Sequence, residues 1–236
     1  MRQAIYILTF LFLLTACNQN GSTINEVESD SLENKITKDT TRTENISGTE
    51  RKSVSDSLII PYDTLFSDMN LVLTEISKKQ FQSYSDKYKI SCEIDSGQFI
   101  KGSGIYVQHD CNEICETYLC EKATNRRMAV PTDYDAGILS MLFSPSCSQL
   151  LICSSYDGPD FENYYSHRAE IFVFTVSTGN GLHGIKPTLK FYTKDWSIDD
   201  IIWVNDKTIA LKVYEERRQG DGSGNNYKYY KTDLDK

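Results

Sequence analysis

The chain has 236 residues, 39% of them hydrophobic and 25% charged, with 25 Lys plus Arg against 33 Asp plus Glu. These are the proportions of an ordinary globular protein rather than a collagen-like or wholly disordered one. The net charge of -8 argues against a general electrostatic grip on nucleic acid, because phosphate recognition needs clustered Lys and Arg.

Met1 to Cys17 reads MRQAIYILTFLFLLTAC: one basic residue, Arg2, an apolar run from Ala4 to Leu14, then Thr15 and Ala16 before a cysteine. The run falls short of the roughly 20 residues that span a bilayer and fits the core of a signal peptide over residues 1–16. Leu14-Thr15-Ala16-Cys17 resembles the lipobox of bacterial lipoproteins. That resemblance implies cleavage before Cys17 and acylation of its thiol and new amino group, which makes Cys17 a lipid anchor rather than a catalyst. Two or three acyl chains hold a protein at a membrane where one binds reversibly. Asn18 stands where an Asp would retain such a protein at the inner membrane. Residues 18–22 also lack the acidic cluster of surface export. The expected address is therefore the outer membrane, facing the periplasm.

From Asn18 to Leu58 there is no aromatic residue, and eight acidic side chains mix with five basic ones. Such a segment cannot offset its conformational entropy by burial, so residues 17–58 are predicted to be a lipidated, disordered tether. The 41 residues from Asn18 to Leu58 would reach roughly 35 Å as a flexible coil. Within and just beyond it, triplets beginning at Asp30, Asp39, Asp56 and Asp63 resemble the O-glycosylation acceptor of Bacteroidota. The resemblance makes Ser31, Thr40 and Ser57 candidate acceptors; a plain polar linker is the alternative.

Residues 59–236 form the predicted globular domain, 178 residues long and able to bury around 70% of its unfolded surface without a metal or disulfide. Ser77 and Gln80 make a capping box, and Phe81, Tyr84 and Tyr88 recur at helical spacing, which predicts a helix over Ser77 to Tyr88. Short runs rich in Ile, Val, Phe, Tyr and Leu follow. They predict strands at Gly104–His109, Cys115–Glu121, Gly137–Phe143, Leu150–Ser155, Glu170–Val176, Leu189–Tyr192, Ile201–Val204 and Thr208–Tyr214. Strands with so little helix between them mean antiparallel sheets.

Ser140 to Cys153, SMLFSPSCSQLLIC, with Ile171 to Gly179, IFVFTVSTG, resembles a blade of the WD40-like or TolB-type β-propeller repeat. Ile201 to Val213 resembles the start of a next blade, and Ile105 to Leu119 a more distant one. Cys147 stands where the repeat has Gly, and the units begin near Gly104, Ser140 and Asp200, 36 and 60 residues apart, against roughly 40 to 45 for typical blades. The expected fold is mainly β: an antiparallel β-meander or a small, incomplete β-propeller-like domain with one short N-terminal helix, preceded by the tether.

Six cysteines remain besides Cys17: Cys92, Cys111, Cys115, Cys120, Cys147 and Cys153. An exported domain meets an oxidising compartment, so all six are candidate disulfide partners. Cys111 and Cys115 flank a short turn and could meet across it. The alternatives are a free buried thiol and a zinc site of His109, Cys111, Cys115 and Cys120. Asp221 to Asn226 spaces oxygen ligands as a calcium loop does but lacks the Gly at its sixth position and an acidic residue at its twelfth. No motif calls for a cofactor or assigns a catalytic residue, and His109, His167 and His183 form no ligand or general-base pair by spacing.

The segment Ser154 to Arg168 is longer than a hairpin needs and carries Tyr156, Phe161, Tyr164 and Tyr165 among Asp157, Asp160 and Glu162. It reads either as a recognition loop for a protein or glycan or as a loop packed on its own aromatics. The function expected is that of a lipid-anchored envelope protein with a β-rich binding domain. An immunity or inhibitor lipoprotein and a hydrolase are the alternatives.

Overall fold

The computed structural model describes residues 57–111, 115–132, 138–156, 161–215 and 226–234. Three two-residue strands come first, β1 (Leu58–Ile59), β2 (Ser67–Asp68) and β3 (Thr74–Glu75), then the helix α1 (Lys78–Lys87). Ten strands follow: β4 (Ile105–Cys111), β5 (Cys115–Glu121), β6 (Arg126–Ala129), β7 (Ser140–Phe143), β8 (Gln149–Ser155), β9 (Ala169–Val176), β10 (Ile185–Thr193), β11 (Ser197–Asn205), β12 (Thr208–Tyr214) and β13 (Lys228–Asp233). They form three sheets, ordered β1-β6-β5-β4, β2-β10-β9-β8-β7 and β11-β12-β13-β3. The fold is mainly β, with one helix, as the strand pattern predicts.

Each sheet is built around an antiparallel meander, and the sheets stack in layers rather than closing into a barrel. Ile105, Leu119 and Met128 of the first sheet share a core with Leu150, Ile152, Phe172 and Phe174 of the second. The alternate residues of the same two strands, Leu151, Cys153, Ile171 and Val173, face the other way, against Ile201, Trp203, Ile209 and Leu211 of the third sheet. Period-two alternation thus buries the second sheet on both faces. This is why its strands read LLIC and IFVF, as unbroken apolar runs. The outer face of the third sheet, Ile202 and Ala210, is covered by Phe81 of α1.

The helix forms where its capping box predicts. Gln80 N–H donates to Ser77 Oγ at 3.2 Å, and Ser77 N–H donates to Gln80 Oε1 at 2.9 Å. Polar ties cross the layers. Trp203 Nε1 donates to the Leu142 carbonyl at 3.1 Å, and the Tyr88 hydroxyl donates to the Phe143 carbonyl at 2.5 Å.

Five strands escape the sequence pattern: β6, β13 and the three short N-terminal ones. The short strands belong to one segment, residues 57–76, which supplies an edge strand to each sheet in turn. It pairs parallel with β6 and with β10, and antiparallel with β13. Leu58, which the composition assigns to the tether, is the first strand residue of this strap and pairs with Arg127. The meanders of the three sheets begin at unevenly spaced positions, Ile105, Ser140 and Ser197. The second sheet's meander has four strands, β7 to β10, and contains the long segment between β8 and β9.

Candidate functional site

Where the strap passes from the first sheet to the second, it covers a cavity of about 440 Å³. The strap contributes Leu58, Ile60, Pro61, Asp63 and Phe66; β5, β6 and the residues after β6 contribute Tyr118, Ala129, Val130 and Pro131, and the floor is Phe172 and Tyr192 of the second sheet. Besides Asp63 and the two tyrosines, its polar lining residues are Glu116, Thr117 and Thr132. Leu58 and Ile60 are 46% and 53% exposed, and Tyr62 and Leu65 beside them are 68% and 56% exposed. Four large apolar side chains therefore sit in water along one short segment, an arrangement that isolated surface residues do not produce.

Asp63 fixes the strap over this cavity. It opens a short 3-10 turn, Asp63–Leu65, and its carboxylate accepts from Lys190 Nζ at 2.5 Å and from the Tyr192 hydroxyl at 2.8 Å. The Lys190 hydrogen bond, helped by Tyr192, holds the Asp63 carboxyl below its ordinary pKa against the opposing effect of burial. The same Asp63 bond, with the charge of Asp68 at 3.6 Å, raises Lys190. Tyr192 is in turn stacked on His167, centroids 4.2 Å apart, and His167 Nδ1 lies 3.6 Å from the buried Glu170 carboxylate. On the opposite wall the Tyr118 hydroxyl donates to Glu116 at 2.6 Å, a bond that raises the tyrosine pKa. The carboxylates of the lining are thus already hydrogen-bonded. The residues around the space offer apolar surface, aromatic faces and negative charge.

Among the described residues no group of three or more His, Cys, Asp or Glu is placed to hold a metal ion. The reason is the pleat. Cys111, Cys115, His109 and Thr117 lie on one face of the β4–β5 hairpin, in the register Cys111↔Cys115 and His109↔Thr117, whereas Cys120 pairs with Tyr106 on the other face. Cys111 and Cys115 form a disulfide instead, and His109 Nδ1 hydrogen-bonds Thr117 at 3.1 Å. A second disulfide joins Cys92 to Cys147. Cys120 and Cys153 are buried free thiols, in different sheets. Cys120 Sγ donates to Gln108 Oε1, Cys153 lies in the core between the second and third sheets, and burial pushes both thiols up in pKa.

The chain matches no protein-family model, no curated protein and no solved structure.

The long segment between β8 and β9 is closed at its base, where Tyr156 N–H donates to the Arg168 carbonyl at 2.9 Å. Phe161 is buried beneath the Arg168 guanidinium, 5.3 Å from its ring centre, and Tyr156 and Tyr165 meet at 4.7 Å. Of its described aromatics only Tyr164, 68% exposed, is offered to solvent, so this part of the segment is packed largely on itself. Asp157 and Asp160 lie outside the described residues, as do Cys17, Ser31, Thr40 and residues 221–225 of the calcium-like sequence. Ser57 is described and exposed, and its carbonyl accepts from Arg127 N–H at 3.1 Å. Among the described residues no helix is long and apolar enough to cross a membrane.

The cavity was not legible in the sequence because its walls come from residues 58–66, 115–132, 172 and 192. The one local signal is the apolar run Leu58 to Phe66 directly after the tether, interrupted by Asp63. That aspartate reads locally as part of an acceptor triplet and serves in the fold as the strap's anchor.

Proposed function

We propose that this is a lipid-anchored binding protein of the bacterial envelope whose ligand places an apolar, uncharged or cationic group in the cavity beneath the strap. The observation that carries the reading is the cavity itself: about 440 Å³, walled by Pro61, Phe66, Val130 and Phe172, and bordered by the exposed Leu58 and Ile60. That volume lies within the range of small-ligand sites, which are mostly apolar with a few oriented polar groups. Charge selects the ligand further. Asp63 and Glu116 disfavour an anionic group such as a fatty-acid carboxylate. The carboxylates of the lining are hydrogen-bonded to Lys190, Tyr192 and Tyr118, which favours recognition over acid–base chemistry. The lipobox ending at Cys17 supports the anchor, and a tether of the expected length would hold the domain clear of the lipid.

The test uses the neutral apolar dye Nile red. Wild type is expected to bind it with a blue-shifted emission, and Ala129→Trp, which fills the space, or Ile60→Asp, which charges the mouth, to weaken binding by about tenfold or more. No binding by wild type, or equal binding by variants that retain the wild-type thermal transition, overturns the assignment.

A further inference from the structure

The two disulfides differ in the features that govern their chemistry. Cys92–Cys147 joins positions 55 apart, and Cys147 is buried. Cys111–Cys115 joins positions 4 apart, and both cysteines are exposed. A bridge across so short a loop removes little entropy from the unfolded chain. It is also not needed to align the strands, because the β4–β5 register runs unbroken from Ile105↔Glu121 to Cys111↔Cys115. Thiols can reach this bridge, and its sulfurs remain opposite each other when it opens. Accessible disulfides of that kind are the labile ones, as opposed to buried structural bridges. Re-closure has no competitor nearby: the free cysteines among the described residues, Cys120 and Cys153, are buried, and Cys120 lies on the other face of β5.

Two further observations give the bridge a context. Cys115 lines the cavity, at the start of the strand that carries Glu116, Thr117 and Tyr118 into its wall. Asp110 and Glu116, both exposed, face each other in the register next to the bridge. These two carboxylates lie one position along from the sulfurs and on the other face of the hairpin, yet within a Debye length of them, so they disfavour an anionic thiol relative to a cationic one.

We propose that Cys111–Cys115 is a thiol–disulfide exchange site for a neutral or cationic dithiol, and that its redox state sets the wall of the adjoining cavity. The second part rests on the binding function proposed above; the first does not. In the exchange, one thiolate of the dithiol attacks a sulfur of the bridge. A mixed disulfide forms, and the other cysteine leaves as a thiolate that takes up the proton shed by the attacking thiol. The second thiol of the reagent then attacks its own mixed disulfide and releases the remaining cysteine, which takes up the second proton. The protein gains two electrons and two protons, and the dithiol becomes a disulfide.

The full chain is equilibrated in graded ratios of reduced to oxidised dithiothreitol, quenched in acid and alkylated, and each cysteine is read by peptide mass. Cys111 and Cys115 are expected to be half reduced at a ratio about tenfold or more below that for Cys92 and Cys147. Joint reduction of both bridges, or earlier opening of Cys92–Cys147, overturns the exchange site. Initial rates with cysteamine should exceed those with 2-mercaptoethanesulfonate at equal thiolate concentration, and Asp110→Asn with Glu116→Gln should abolish the difference; equal rates in wild type remove the charge selection. Nile red affinity is then compared between the oxidised protein and the Cys111→Ser, Cys115→Ser variant. A change of about threefold or more supports coupling to the cavity, and an unchanged affinity refutes it. If neither form binds the dye, the binding function falls while the exchange result stands on its own.

Discussion

The Tyr192 hydroxyl donates a 2.8 Å hydrogen bond to the Asp63 carboxylate across 129 positions of sequence. One residue lies in the strap and the other in β10, so this bond, with the Lys190 ion pair on the same carboxylate, holds the roof of the cavity to its floor. An ion pair with one partner largely exposed contributes little by itself, whereas a carboxylate held by two donors in fixed geometry contributes more.

Asp63→Asn, and separately Tyr192→Phe, should therefore cost about 1 kcal/mol of stability and expose the strap. Chymotrypsin cleavage after Tyr62 or Leu65 in the native protein should accelerate in both variants. Unchanged cleavage would show that the strap is held by its strand pairs and Phe66 alone. Because Asp63 is depressed below 3.8 in the fold, its contribution is present above that pH and disappears as pH falls through the depressed value. Lys190, raised above 10.5, contributes below that pH and loses its contribution as pH rises through the elevated value. Urea titrations of wild type and Asp63→Asn should converge at the acid end and differ at neutral pH.

Trp203 joins the third sheet to the second. It is 1% exposed, and its indole N–H donates to the Leu142 carbonyl. Trp203→Ala should cost roughly 3–5 kcal/mol through the cavity it leaves. Trp203→Phe keeps most of the volume but removes the donor, and should cost about 1–3 kcal/mol. A loss below about 1 kcal/mol for the alanine variant, by chemical denaturation, would contradict a continuous core between these sheets.

Cys147 has φ of 60°, a conformation that glycine adopts at no cost and other residues do not. The bridge to Cys92 retains cysteine at that position. Replacing both cysteines with serine should cost up to roughly 4 kcal/mol, from a loop of this length. Glycine at position 147, in a Cys92→Ser background, should recover about 1 kcal/mol relative to serine there. Equal stability of the glycine and serine variants would remove the backbone argument.

Cys17→Ala should shift the protein from membrane to soluble fractions of the envelope and abolish labelling by a fatty-acid analogue. Labelling of the variant at the wild-type level would remove the anchor and, with it, the membrane address assigned to the binding domain.

What the sequence determined by itself is what depends on neighbours in the chain. The capping box of Ser77 and Gln80 marks α1, alternating and apolar runs mark the meander strands, and the short spacing of Cys111 and Cys115 allows their bridge. Each is fixed by local geometry: a turn of helix, a pleat, a hairpin. The tertiary structure decided what depends on which faces meet. It placed Cys120 and Cys153 in different sheets as free thiols, turned Phe161 into the core of its own segment, and recruited residues 57–76 as the edge of all three sheets. Two-residue strands carry no periodicity to read, and they exist because the neighbouring sheet supplies the partners for their backbone groups. The cavity belongs to the same class: Asp63, Tyr118 and Tyr192 are unremarkable in their own segments and become a site only where the strap crosses from one sheet to the next.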